Sequence, residues 1–214
     1  MNSPSVAIVD YGMGNVRSVF NACESLGAYC QIAATPRDLE NANVESLILP
    51  GVGAFGDAMQ LLRDGGWLQA LHQEVIENEK PILGICLGMQ LLASVGYEFG
   101  EHRGLGWIEG EVKRLPSSEP QFRVPHIGWN EIEVASRDGI YADFIGNPTF
   151  YFVHSFAFYP QNLEVATSWC QHSTRWCASV QQGHIFGVQF HPEKSQRDGL
   201  RLINNFLKWK APHA

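Results

Sequence analysis

Short, fully apolar runs alternate with stretches whose apolar side chains recur every three or four positions through the first hundred residues. Residues 6–10 (VAIVD) read as a strand, and Asn15 stands where it would cap a helix through Val16, Val19, Phe20, Cys23 and Leu26, stopped by Gly27. Residues 29–33 form a second strand candidate. Thr35-Pro36 then opens a short helix, with a capping hydroxyl and a proline in its first turn. A third strand at 46–49 (SLIL) ends in Pro50-Gly51-Val52-Gly53, and a helix follows through Met59, Leu61, Leu62 and later Leu68, Leu71 and Val75. Residues 81–85 (PILGI) give a fourth strand, with a helix over 87–93 behind it.

Strands that are apolar throughout must be covered on both faces, so this alternation predicts a parallel sheet flanked by helices. The second half differs. Segments 104–115, 130–134, 149–158, 163–168, 178–182 and 184–190 are strand-like and separated by turn residues, and one amphipathic helix over 199–209 follows. With no repeat or linker in view, the expected fold is α/β. It is a single domain over 1–214, with a mostly parallel central sheet flanked by helices and an antiparallel extension.

Composition narrows the class. Of 214 residues, 45% are hydrophobic and only 17% charged, which excludes compositional disorder. The net charge of −7, without clustered Lys or Arg, argues against nucleic acid as a partner. The N-terminal residues have no basic, apolar signal pattern, and no apolar run approaches membrane-spanning length, so a cytoplasmic protein without a membrane partner is expected. Five cysteines (Cys23, Cys30, Cys86, Cys170, Cys177) without close paired spacing fit a reduced compartment better than a disulfide framework.

One cysteine stands in a distinctive place. Gly84-Ile85-Cys86-Leu87-Gly88 has the G-x-nucleophile-x-G form of a nucleophile elbow, between an apolar strand and an apolar helix. The turn places the side chain at a helix N-terminus, an arrangement that favours the thiolate form of a cysteine. A buried structural cysteine at a strand end is the bland alternative. A partner base stands in Gly187-Val188-Gln189-Phe190-His191-Pro192-Glu193: Pro192 favours an extended His191, and in extended chain residues two apart share a face. Glu193 would then orient the His191 imidazole, completing a nucleophile, base and orienter. An H-P-E turn at the surface is the alternative for that half.

The loop at Gly51, Val52 and Gly53 ends the strand expected beside the nucleophile strand. With the N–H of Leu87, its N–H groups would form an oxyanion hole, in which one good donor is worth about 3–4 kcal/mol; an ordinary turn is the alternative. Among the other histidines, His154 sits in an apolar strand, and His126 precedes Ile127-Gly128-Trp129. His72, His102, His172, His184 and His213 have polar surroundings and are expected to be solvated. No ligand spacing for a metal is present. Gly12-Met13-Gly14 lacks the last glycine of a dinucleotide fingerprint, Arg17 standing in its place. Neither metal nor cofactor is expected.

Residues 84–90 (GICLGMQ) together with 190–193 (FHPE) resemble the class I, triad-type glutamine amidotransferases. Within that group, 10–15 (DYGMGN), 50–55 (PGVGAF), 104–112 (GLGWIEGEV), 124–130 (VPHIGWN) and 151–155 (YFVHS) look like the glutaminase-subunit family of imidazole glycerol phosphate synthases. The resemblance spans nearly the whole chain in order and implies a flavodoxin-like amidotransferase fold. It implies hydrolysis of L-glutamine to glutamate and ammonia through a thioester on Cys86, with His191 and Glu193 completing the triad. Gly51, Gly53, Gln90, Glu98, His154, Ser155 and Phe156 would contact glutamine. In the family two tyrosines often follow the His-Ser pair, whereas Phe156-Ala157 stands here. The resemblance also implies a (β/α)₈-barrel cyclase partner, facing Asn15, Trp129 and Asn130. The cyclase uses the ammonia to make imidazole glycerol phosphate and aminoimidazole carboxamide ribonucleotide in histidine biosynthesis. For Trp129, core packing is the alternative. An anthranilate-type glutaminase, a γ-glutamyl hydrolase and a non-catalytic binding module are the competing functions.

Overall fold

The computed structural model describes residues 3–116 and 123–211. Strands β1 (Ser5–Val9), β2 (Tyr29–Ala33), β3 (Ser46–Gly51) and β4 (Ile82–Cys86) are joined by helices α1 (Val16–Ser25), α2 (Pro36–Glu40), α3 (Phe55–Asp64) and α4 (Trp67–His72). Thr35 caps α2 with a reciprocal Thr35–Asp38 box, as expected. Asn15 precedes α1 but its side chain makes no capping bond, so the helix start there rests on backbone and packing alone. The apolar stretch after β3 is divided at Gly65-Gly66, Gly66 taking a positive φ of 73° where one long helix would need helical backbone.

The one-residue elbow at Cys86 leads into α5 (Leu87–Leu91), shorter than the pattern suggested. Beyond it run β5 (Val95–Gly96), β6 (His102–Arg103), β7 (Gly110–Arg114), β8 (His126–Val134), β9 (Thr149–His154), β10 (Phe156–Pro160), β11 (Ala166–His172), β12 (Thr174–Gln182) and β13 (Ile185–Val188); α6 (Gln196–Lys208) follows.

Among the described residues the main sheet has the order β2-β1-β3-β4-β13-β12-β11-β8-β9. From β2 to β13 the pairs are parallel, and from β13 to β9 antiparallel. This is the expected parallel sheet with its antiparallel extension. A smaller sheet, β10-β7-β5-β6, stands beside it. The run over 149–158, expected as one strand, is divided at Ser155, with β9 in the main sheet and β10 in the smaller one.

The core explains the apolar strands. Val6 and Ile8 face one layer with Ile48, Leu83 and Ile85, against Val19, Leu202, Ile203 and Phe206 of α1 and α6. Ala7 and Val9 face the other with Leu47 and Leu49, against Met59, Leu62, Leu71 and Met89 of α3, α4 and α5. Covered on both sides, these strands leave their C-terminal ends as the place where polar chemistry can reach solvent. Gly51 and Cys86, the last residues of β3 and β4, are register partners there.

Candidate active site

Strand β4 lies between two parallel neighbours, with Gly84 opposite Leu49 on one side and Gly187 on the other. A side chain at Gly84 would meet the Gly88 carbonyl at 2.6 Å, and one at Gly88 would run into the Leu49 carbonyl oxygen. Only glycines let the chain reverse this close to its own sheet. Cys86 itself carries φ 55° and ψ −109°, a conformation that non-glycine residues rarely adopt and that costs on the order of 1–3 kcal/mol. The surrounding strands impose it, and it turns the thiol away from the sheet at the start of α5.

His191 follows β13, the parallel neighbour of β4 on the side away from β3. Its N–H donates to the Tyr151 carbonyl at 2.9 Å. Ser195 adds a second stitch, its Oγ donating to the His191 carbonyl at 2.6 Å and accepting from the Tyr151 N–H at 3.0 Å. His191 has the extended backbone expected before proline, but Pro192–Lys194 is a 3₁₀ turn. Glu193 therefore meets His191 by curling back in that turn rather than by strand periodicity. Nδ1 of His191 lies 2.8 Å from Oε1 of Glu193, and both side chains are buried.

Nε2 of His191 has no hydrogen-bond partner of ordinary geometry, although the ring is electrostatically coupled to Cys86. Burial alone would push the imidazole pKa down; hydrogen bonding and charge from Cys86 and Glu193 outweigh it and raise the value to about 9. The imidazolium is thus the favoured form at neutral pH.

Residues absent from the sequence-based site complete the surroundings. Gln189, fully buried, donates from Nε2 to Cys86 Sγ at 3.7 Å and accepts from Gln90 Nε2 at 2.9 Å through Oε1. The hydroxyl of Tyr11 is buried without a partner, at the place where a Gly51 side chain would come within 2.8 Å of it. Burial first, then the charge of Cys86, raises its pKa. Gln189 follows the apolar β13 and resembled its strand neighbours; Tyr11 followed a strand and resembled core. Only the position of Gln189 two residues before His191 could have drawn attention.

A cavity of about 300 Å³ opens beside the elbow, lined by Gly53, Gln90, Glu98, Pro125, Val153, His154, Ser155 and Phe156. Six of these were expected to contact substrate; Pro125 and Val153 were not. The Glu98 carboxylate is held by the Phe55 N–H at 2.9 Å through Oε2. Gly51 lies beneath the loop rather than on the cavity wall, while Val52 is half exposed and Gly53 has φ 103°. The Leu87 N–H is in the first turn of α5, where backbone donors lack helical partners.

Of the expected partner-facing residues, Trp129 is about half exposed and packs edge-on against Tyr151, rather than sitting in the core. Asn130, its neighbour on β8, is half buried and bonds to the Gln171 carbonyl. Asn15 lies before α1 and shares no hydrogen bond with either. Two histidines expected to be solvated are held: His184 contacts the Val75 carbonyl at 2.7 Å, and His172 stacks on His126 at 4.2 Å. The His102 ring abuts Gly56, whereas His72 is exposed. His213 lies outside the described residues. All five cysteines are free, and no cluster able to hold a metal occurs among the described residues.

A thiol on a strained elbow, a buried imidazole–carboxylate pair and an adjacent polar cavity can perform acyl transfer from a small amide. Residues 7–209 match the glutamine amidotransferase class-I family. The chain is 45% identical over 203 residues to an imidazole glycerol phosphate synthase subunit HisH 1 of Campylobacter jejuni, covering 95% of this chain and 99% of that one. It is 42% identical over 209 residues to the imidazole glycerol phosphate synthase subunit HisH of Zymomonas mobilis, covering 97% of each. Its fold is similar to PurLQS from Thermotoga maritima, with a TM-score of 0.74 at 20% identity, over 96% of this chain and 98% of that one. The chain belongs to the class-I glutamine amidotransferase family, in the group of imidazole glycerol phosphate synthase HisH subunits.

Proposed function

We propose that this chain is the glutaminase subunit of an imidazole glycerol phosphate synthase, working as one amidotransferase domain over 1–214 and serving histidine biosynthesis in the cytoplasm. The observation that carries the reading is Cys86 on its elbow, coupled to the buried His191–Glu193 pair beside the 300 Å³ cavity.

Glutamine enters that cavity, its amino group held by Glu98 and the rest by Gln90, the Gly53 backbone and the His154, Ser155 and Phe156 segment. Sγ of Cys86 attacks the carboxamide carbon, His191 entering the step as the imidazolium that already holds the thiol's proton on Nε2. The N–H groups of the Val52–Gly53 loop and of Leu87 receive the developing oxyanion, and Gln189 steadies the sulfur. Collapse breaks the C–N bond, and ammonia leaves with a proton from His191. Water then attacks the thioester, giving its proton to His191; the C–S bond breaks, glutamate leaves, and the sulfur and imidazolium are restored. Glu193 keeps the imidazole oriented through both halves.

Free ammonia in water is protonated and ceases to be a nucleophile, so its consumer must be docked. We assign that role to a (β/α)₈-barrel cyclase, facing Asn15, Trp129 and Asn130. Among the described residues no helix is long and apolar enough to cross a membrane.

Glutamine turnover measured with and without the cyclase and its ribonucleotide ligand tests the reading. Glutamine-dependent synthesis is expected only with both chains. Cys86→Ala should abolish it while ammonium salt still supports the cyclase. A chain that confers no glutamine dependence on the cyclase, or that confers it on an anthranilate-forming synthase instead, would sink the assignment.

A further inference from the structure

An unbroken series of hydrogen bonds runs from the β8 face to the nucleophile, and every link has a fixed direction. Asn130 Nδ2 donates one hydrogen to the Gln171 carbonyl at 3.2 Å, which requires nitrogen at that position, and faces His126 Nε2 at 3.3 Å with the other. An amide nitrogen only donates, so His126 Nε2 accepts and its proton sits on Nδ1. That Nδ1 lies 3.1 Å from His154 Nε2, which must accept in turn, leaving the His154 proton on Nδ1, 2.8 Å from the Phe156 carbonyl.

The Phe156 carbonyl also accepts from Gln90 Nε2 at 2.9 Å, and Gln90 reaches Cys86 through Gln189. Residues 126, 128 and 130 share one face of β8, which is why the first two members of the relay, Asn130 and His126, meet along one strand. Both histidines are buried, and the His126 ring is clamped between Phe152 and His172. Neither ring can give up its neutral tautomer without placing two donors, or two acceptors, face to face.

We infer that His126 is a positioning residue for the glutamine pocket, acting through His154 on the Phe156 carbonyl and Gln90, with Asn130 as the end at which a docked subunit resets the relay. The docking part rests on the proposed partner face. Replacement of His126 leaves a buried acceptor unpaired at His154 and loosens the wall on which Gln90 is hung. The triad is untouched, so the effect falls on glutamine binding rather than on bond breaking.

The test uses the complete two-subunit complex with His126→Phe and His126→Asn. Phe keeps the ring stack and removes both links. Asn keeps a donor where Nδ1 stood and loses the acceptor that faces Asn130. His126→Phe is expected to raise the glutamine KM about tenfold with kcat changed by less than about twofold, and to cut about tenfold the stimulation, meaning the ratio of glutamine turnover with the cyclase's ribonucleotide ligand to turnover without it. His126→Asn is expected to restore KM but not stimulation. Ammonium-driven synthesis stays unchanged in both. Wild-type KM and stimulation in His126→Phe, or equal losses in both variants, would overturn the inference.

A second measurement needs no variant. Nitrogen-15 spectra of the labelled histidines in the unmodified complex are expected to show both His126 and His154 protonated on Nδ1; an Nε2-protonated ring at either position overturns the relay. If the unmodified complex had no glutamine-dependent activity, the glutaminase reading would fail, and the tautomers would still decide the relay by themselves.

Discussion

His191 Nδ1 and Glu193 Oε1 stand 2.8 Å apart with neither side chain more than 2% exposed, so the carboxylate is sealed from solvent along with the ring it contacts. Oε2 of the same carboxylate has no partner. Its whole electrostatic effect is therefore directed at one ring, where water cannot screen it.

Glu193→Gln keeps the shape of that contact and removes the charge that favours the imidazolium. With the folded pKa of His191 raised to about 9, its contribution to stability is complete below the unfolded value of about 6.5 and is lost as pH rises through 9. The variant should show an alkaline limb of glutamine hydrolysis moved to lower pH, with kcat reduced roughly 100-fold. A pH–rate profile of the complex checks this; an alkaline limb that stays in place would separate Glu193 from the titration of His191.

The elbow predicts that glycine is better tolerated than alanine at position 86. At φ 55° and ψ −109° alanine is strained and glycine is not. Cys86→Gly should therefore exceed Cys86→Ala in unfolding free energy by about 1 kcal/mol, although both are inactive. Urea denaturation of the two variants measures the difference, and an alanine variant of equal or greater stability contradicts the strain argument.

Acid should destabilise the fold through His126 and His154. Burial pushes His126 down to about 4, assisted by His172 on β11. Burial pushes His154 down to about 3, with His126, His172 and His191 adding to it and the bond to the Phe156 carbonyl opposing. The unfolded chain takes up these protons first, near pH 6.5, so the stability is complete above that value and drains away toward 4 for His126 and 3 for His154. His126→Phe removes one of the two groups, and its stability should fall less steeply across this window. Denaturant midpoints at a series of pH values decide it: identical slopes in the two proteins would remove His126 from the acid transition.

The parallel half of the sheet was legible because burial on both faces leaves an apolar run that no other setting explains, as at Ile82–Cys86. The residues of the proposed triad could be picked out because their spacing is local at each end, although the His191–Glu193 contact is made by a 3₁₀ turn rather than an extended strand. Ser155 was not legible as a division between sheets: His154 and Phe156 both look like strand residues, and the change of partner strand depends on residues far away in the chain. His172 was misjudged for the same reason. Its sequence neighbours are polar, and the ring it stacks on is 46 positions earlier, from 172 − 126. Gln189 carries no local sign of its role, since only the fold brings Gln90 and Cys86 to it.

The division at Ser155 has a mechanical consequence. His154 is anchored in one sheet by its pairing with His126, and Phe156 in the other by its pairing with Arg114. The cavity wall thus spans a seam between two stiff plates, with Ser155 as its one-residue hinge pin. The shape of the pocket is thus set jointly by two sheets, and a substitution that shifts the seat of either one reaches the glutamine wall.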